Sequence, residues 1–171
     1  MKYFLSIFTL LFFLCPVSSE QKIVFVDMER VISASNAGSS IFKQLKSINN
    51  KNLTFLKDEE KKFKEKEKKL VIQKNIISEN DFNVKVDELR LEIKNYNLNR
   101  KKLIEEFNRL KIDSTNKLLI QVNPILERFS NENKIAIILQ KKDLIIGKTE
   151  LDITNKIINY VNNEIKEFKI K

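Results

Sequence analysis

Three kinds of hydrophobic pattern follow one another along this chain. Lys22-Ile23-Val24-Phe25-Val26-Asp27 is a short β-branched and aromatic run bounded by polar residues, which predicts a buried strand. Met28 to Ser35 then leads past Ser33, Ser35 and Asn36, all good helix N-caps, into a stretch from Ser39 to Asn123 with neither Gly nor Pro. Those two residues cost about 1 and about 3 kcal/mol in a helix interior, so their absence over 85 positions permits very long helices. Beyond it, Ile135-Ala136-Ile137-Ile138-Leu139-Gln140 and Leu144-Ile145-Ile146 form two short β-runs about a Lys141-Lys142-Asp143 turn, which predicts a hairpin. Asp152 then caps a last helix carrying Ile153, Ile157, Ile158, Val161, Ile165 and Phe168 on one face, suited to packing on a sheet.

The long stretch has one interior break signal, Ser78-Glu79-Asn80-Asp81. Ser78 can cap a new helix with Asp81 in the last position of a capping box, while Ile77 and Phe82 take the two places of a hydrophobic staple. The helix is therefore expected to reverse near 78–81. On the return limb Phe82, Val86, Leu89, Ile93, Tyr96, Leu103, Phe107 and Leu110 alternate steps of four and three, interrupted only by Arg100, as a coiled-coil seam does. The outbound limb is broadly apolar at its base, through Ile41, Phe42, Leu45, Ile48, Phe55 and Leu56. It thins to Phe63, Leu70 and Ile77, with Glu59, Glu60, Lys66 and Glu67 between them. At about 1.5 Å per residue the paired section would reach roughly 55 Å, with a marginally stable outer half. The return helix is expected to run to Phe129 or Asn131, with a kink at Pro124 and Asn133 as the left-handed terminating residue.

Residues 1–19 have the marks of an export leader: Lys2, an apolar core from Leu5 to Leu14, and Val17-Ser18-Ser19 as a small-residue cleavage pattern ahead of Glu20. The apolar run is shorter than the about 20 residues of a spanning helix. Cleavage after Ser19 releases the chain, most simply into a bacterial periplasm. Acylation at Cys15 is the alternative, disfavoured by the large Leu14 before it.

Without the leader the chain has no Cys, His or Trp, which excludes disulfides, thiolate nucleophiles, imidazole bases and Cys/His metal sites. Gly38 and Gly147 stand alone, so no Gly-rich loop exists to cradle a phosphate. No cofactor is expected. Glu59, Glu60, Glu65 and Glu67 imitate a carboxylate cluster, but a charged helix without a pocket explains them by solvation, and the chain reads as no enzyme. The net charge is +9, or +8 once Lys2 is removed, and +7 of it lies between Lys43 and Lys117, where 20 basic residues face 13 acidic ones. Acidic proteins, anionic lipid and nucleic acid are the partner classes such a charge attracts. The interleaved acids argue against a continuous phosphate track.

In order, these parts resemble the Skp/OmpH family of periplasmic chaperones. The likeness rests on the run from Lys22 through Asp27, Met28, Glu29 and Arg30 to Val31, on Ala37-Gly38 at the mouth of the arm, on Pro124-Ile125, and on Asp152-Ile153-Thr154. It covers essentially the whole mature chain. The chain departs from the family in Asn131-Glu132-Asn133-Lys134, where a Gly often precedes the second strand, and in having few Ala along the arm. The resemblance implies an α+β, predominantly helical fold. Residues 20–40 and 130–171 would form a small β body with the C-terminal helix, three strands per protomer shared in an oligomer. Residues 41–129 would form the hairpin arm. It further implies an ATP-independent holdase, a homotrimer whose arms enclose unfolded outer-membrane β-barrel proteins.

A three-stranded sheet leaves open edges and little core, which sharing between subunits removes. Val24, Val26, Ile137, Leu139 and Ile145 are the candidates for that shared body, with burial in the chain's own core as the alternative. For client contact the candidates are Phe63, Leu70, Ile76, Val84 and Val86 beside Lys61, Lys62, Lys64, Lys68 and Lys69. Phe63 and Val86 fit a helix-zipping role better; Ile76 and Val84 lie off the seam. Two rivals stay open, a structural coiled-coil envelope protein and a basic binder of anionic lipid or nucleic acid, the nucleic acid disfavoured by the interleaved acids; contact with anionic lipid or lipopolysaccharide is also open to the chaperone itself.

Overall fold

The computed structural model describes residues 21–170. The leader, with its cleavage site and Cys15, lies outside the described residues. Strand β1 (Lys22–Val26) passes at once into helix α1 (Met28–Ala34), because the Asp27 carboxylate accepts the Arg30 N–H at 2.9 Å and caps it. Ser35 then breaks the helical path with extended backbone, and its hydroxyl accepts the Gly38 N–H at 3.1 Å to start helix α2 (Asn36–Gln73). The corner is tight: a Cβ on Gly38 would stand 1.5 Å from the Ile32 carbonyl oxygen. Only glycine lets the two helices approach so closely.

Helix α2 ends at Gln73, and α3 (Glu79–Glu132) returns antiparallel to it. Ser78 opens α3, accepting the Asp81 N–H at 3.1 Å and donating its hydroxyl to the Asp81 carboxylate at 2.7 Å. Helix α3 runs unbroken through Pro124 to Glu132. Its end differs from the expectation. Asn133 keeps φ at −101° and spends its side chain on the Phe129 carbonyl, at 2.8 Å, so Lys134, at φ 52°, makes the left-handed turn.

The sheet corrects the sequence reading. Strand β2 (Ile135–Gln140) pairs in parallel with β1, Ile23 against Ile137 and Phe25 against Leu139, and makes no hairpin with the segment after it. A parallel pair needs a crossover, and the whole arm serves as one. The third strand expected at Leu144-Ile145-Ile146 is not formed. Residues 141–143 wind into one 3₁₀ turn, and the chain then crosses the sheet with Gly147 so close to Phe25 that a Cβ would come within 2.7 Å of its ring. After a second 3₁₀ turn (Thr149–Leu151), Asp152 bridges to Phe25 and the Ile153 N–H donates to the Phe25 carbonyl at 3.0 Å. The edge of β1 that a third strand would use is thus partly taken.

Helix α4 (Thr154–Glu164) also stops earlier than its pattern predicts. Ile165 and Phe168 lie beyond it in an extended tail. Phe168 is nevertheless buried: its carbonyl accepts from Ser40 Oγ at 3.1 Å and Gln44 Nε2 at 2.6 Å, and Gln44 Oε1 accepts the Ile170 N–H. Contacts to α2 stand in for the helical bonds. The start of α4 differs too: Ile153 holds the N-cap position, and Asp152, one residue earlier, accepts the Thr154 N–H at 2.9 Å.

The core collects at the base of the arm. Val24, Val26 and Val31 meet Ala37, Ile41 and Leu45 of α2, Leu118, Val122, Ile125 and Phe129 of α3, and Ile157 and Val161 of α4. Phe129 and Tyr160 add an edge-to-face contact at 5.2 Å. In the outer arm, from Ser47 to Arg109, Leu89 alone is buried. A long, thin lever therefore stands on a small packed base.

Candidate functional site

The outer arm is built on half an apolar seam. Along α2 and into the turn after it the inward positions alternate between apolar Leu56, Phe63, Leu70 and Ile77 and polar Asn52, Glu59, Lys66 and Gln73. The apolar members make the dry contacts, of which Phe63 against Tyr96, edge to face at 5.4 Å, is the aromatic one. Two of the polar members, Lys66 and Gln73, reach across as rungs. Lys66 Nζ donates to the Glu92 carboxylate at 2.6 Å, and seven residues further along α2 Gln73 accepts from Lys85 at 2.9 Å, seven residues back along α3. The Tyr96 hydroxyl donates to Glu60 at 2.7 Å. Burial and the Glu60 carboxylate both raise the Tyr96 pKa above its ordinary value, so the phenol stays protonated and keeps donating. Exposed rungs of this kind contribute about 0–1 kcal/mol each, so the outer arm is held much more weakly than its base.

This geometry divides the ten candidates for partner contact. Phe63, Leu70 and Val86 are half-buried on the inward side, where they join the two helices. Ile76 and Val84 are exposed, at 74% and 50%. Lys61, Lys62, Lys64, Lys68 and Lys69 all point to solvent, and Lys62 holds Glu59 at 2.7 Å, a hydrogen bond that raises its pKa. Around the reversal, Val71 and Ile72 add to Ile76 an apolar tip that the sequence reading had not singled out.

A second group, of which the sequence reading named only Val84, lies on the back of α3. Val84, Leu91, Leu98 and Ile112 are each at least half exposed, with Ile104 close to that. Each of the four stands two residues from seam positions on either side, and two residues turn a helix by about 200°, so they face away from α2. Their spacing of seven, seven and fourteen was visible in the sequence, hidden behind the stronger seam.

Of the five candidates for a shared body, Val24 and Val26 are buried in the chain's own core, while Ile137 and Leu139 are more than a third exposed. Ile145 is fully exposed and Ile146 nearly so. With Ile23, they make an apolar face that nothing among the described residues covers. Beside it, an open groove of about 880 Å³ runs between α1, β2 and α3, lined by Met28, Ile32, Leu126, Ile138 and Leu139. Among the described residues no group of acids could hold a metal ion, and no helix is long and apolar enough to cross a membrane.

Residues 22–161 match the sequence profile of the family described as Outer membrane protein (OmpH-like). No curated protein matches the chain. Among solved structures, the fold is similar to that of a protein from Caulobacter crescentus CB15 described as an OmpH-like outer membrane chaperone. The TM-score is 0.83 at 14% identity, over 88% of this chain and 89% of that one.

Proposed function

The chain belongs to the OmpH-like family and is not an enzyme, and from that premise we propose that it is an ATP-independent holdase of the periplasm for unfolded outer-membrane β-barrel proteins. One observation carries the reading. The arm keeps its dry core at the base and leaves a series of large apolar side chains uncovered along its length. Exposed apolar surface of that extent marks an interaction site. Because the side chains are scattered, each contact is weak, and a client can be shielded from aggregation and still leave.

The working form is a homotrimer. Ile23, Ile137, Leu139, Ile145 and Ile146 offer the apolar face, β2 offers an open edge, and the groove beside it can accept a neighbour's Leu144-Ile145-Ile146. Three arms around one body would then bound a cavity. The experiment is dilution of a urea-unfolded outer-membrane barrel into buffer with the leaderless chain and no ATP. Suppressed light scattering supports the holdase; unchanged aggregation overturns it.

A second contact, with anionic lipid or the phosphates of lipopolysaccharide, is favoured by the arm's tip. Lys68-Lys69-Leu70-Val71-Ile72-Gln73-Lys74-Asn75-Ile76-Ile77 has three lysines and no acid, and Val71, Ile72 and Ile76 are exposed. Lysine stems can lie along an apolar boundary while their heads reach phosphate. Flotation with anionic but not with zwitterionic vesicles would support it, and equal flotation with both would remove the lysines' part in it.

A further inference from the structure

The back of α3 carries an apolar line longer than the tip, and neither the helix pairing nor the body explains it. We infer that this face, a line formed by Val84, Leu91, Leu98 and Ile112 with Ile104 beside it, is the rail on which an unfolded client polypeptide rests; the inference depends on the holdase reading above. From Val84 to Ile112 the line extends for about 42 Å.

Its thinness selects the occupant. A second helix would need two apolar residues per heptad to form a dry seam, and the rail offers one. A bilayer surface would need a broad apolar face, whereas here Asn95, Lys101, Lys102 and Asn108 border the line. An extended chain needs neither. Its same-face side chains recur about every 7 Å, against about 10.5 Å along the rail, so every third client side chain meets every second rail position, and a shift of the client by two residues restores the same match. Contact of this kind holds a chain while letting it slide.

Charge narrows the client further. The residues three or four positions from Leu98 and Ile112, and so beside them on the helix surface, include Lys94, Lys101, Lys102 and Arg109. Glu105 sits on the line itself, 3.8 Å from Lys101, and Asp87 and Glu88 border it only toward the tip. The middle and base of the rail therefore fit segments that alternate apolar with acidic side chains.

The test compares client affinity of the leaderless chain with that of Leu91→Gln/Leu98→Gln/Ile112→Gln, in which glutamine preserves helix propensity. A control carries Asn50→Gln/Thr54→Gln, exposed polar positions on α2. Circular dichroism and light scattering confirm that helicity and mass are unchanged. The rail predicts about tenfold weaker binding of the unfolded barrel by the first variant, equivalent to about 1.4 kcal/mol, and near-parent binding by the control. A photo-crosslinker at Leu98 should capture the client, and one at Asn50 should not. If the parent binds and the rail variant binds equally, the rail is overturned while the holdase reading stands. If the parent itself does not bind, both fall.

Discussion

Phe63 and Tyr96 meet edge to face across the outer arm, 5.4 Å between ring centroids at 72°, and the Tyr96 hydroxyl continues past the contact to Glu60. This pair ties the outer halves of the two helices in a stretch where the neighbouring inward positions are polar. Phe63→Ala should therefore destabilise the outer arm by about 1–2 kcal/mol and leave the base intact. Hydrogen exchange is the measure: amides of the outer arm should exchange faster and those around Leu118 and Val122 should not change. Uniform loss of protection would contradict a separately stable base.

Gly38 should tolerate no side chain. An added Cβ would overlap the Ile32 carbonyl oxygen, a backbone atom that moves only if α1 and α2 separate. Gly38→Ala is expected to lower stability by about 3 kcal/mol, read as a fall in the urea midpoint. An unchanged midpoint would show that the corner can open without cost.

The base of α4 should weaken in acid. Burial pushes the Asp152 carboxyl up, but the Thr154 hydroxyl and N–H and the Lys141 ammonium outweigh it and bring the pKa below the usual 3.8. A carboxylate with a depressed folded pKa stabilises the fold above its unfolded value, and the contribution disappears as pH falls through the folded one. Asp152→Asn should thus be less stable by about 1 kcal/mol at pH 7, with the gap closing below about pH 4. A gap that stays constant from pH 7 to pH 3 would rule out the carboxylate's charge as the cause.

Assembly should depend on the uncovered face. Ile137→Lys/Ile145→Lys leaves the buried core untouched, since both side chains are exposed in the single chain. It should convert a trimer into monomers by light scattering at micromolar concentration. A parent chain that is itself monomeric would dismiss the trimer.

Reversing Lys61, Lys62, Lys64, Lys68 and Lys69 to Glu should weaken capture of acidic unfolded barrels, and the difference between variant and parent should shrink as salt rises. The trimer mass should persist, because these side chains lie far along the arm from the sheet. Equal suppression of aggregation at low salt by parent and variant would leave those lysines no electrostatic role.

Local rules decided much of this molecule. The absence of Gly and Pro from Ser39 to Asn123 is what lets two long helices form, and the four-and-three spacing of the return limb places Leu89, Ile93 and Tyr96 on the side that faces α2. Such signals are readable because they act within a turn or two of the chain. What depends on distant partners was not readable. The β-branched run at Leu144-Ile145-Ile146 satisfies strand propensity, yet no ladder forms there, because β2 already pairs in parallel with β1 and the chain crosses the sheet at Gly147. Phe168 reads as a helical residue, but tertiary bonds from Ser40 and Gln44 hold its backbone extended. The rail was present as a spacing of seven, but spacing alone cannot say which stripe of a two-striped helix is covered. Only the placement of α2 against the other side of α3 left Leu91, Leu98 and Ile112 in solvent, since burial is a property of the neighbour as much as of the residue.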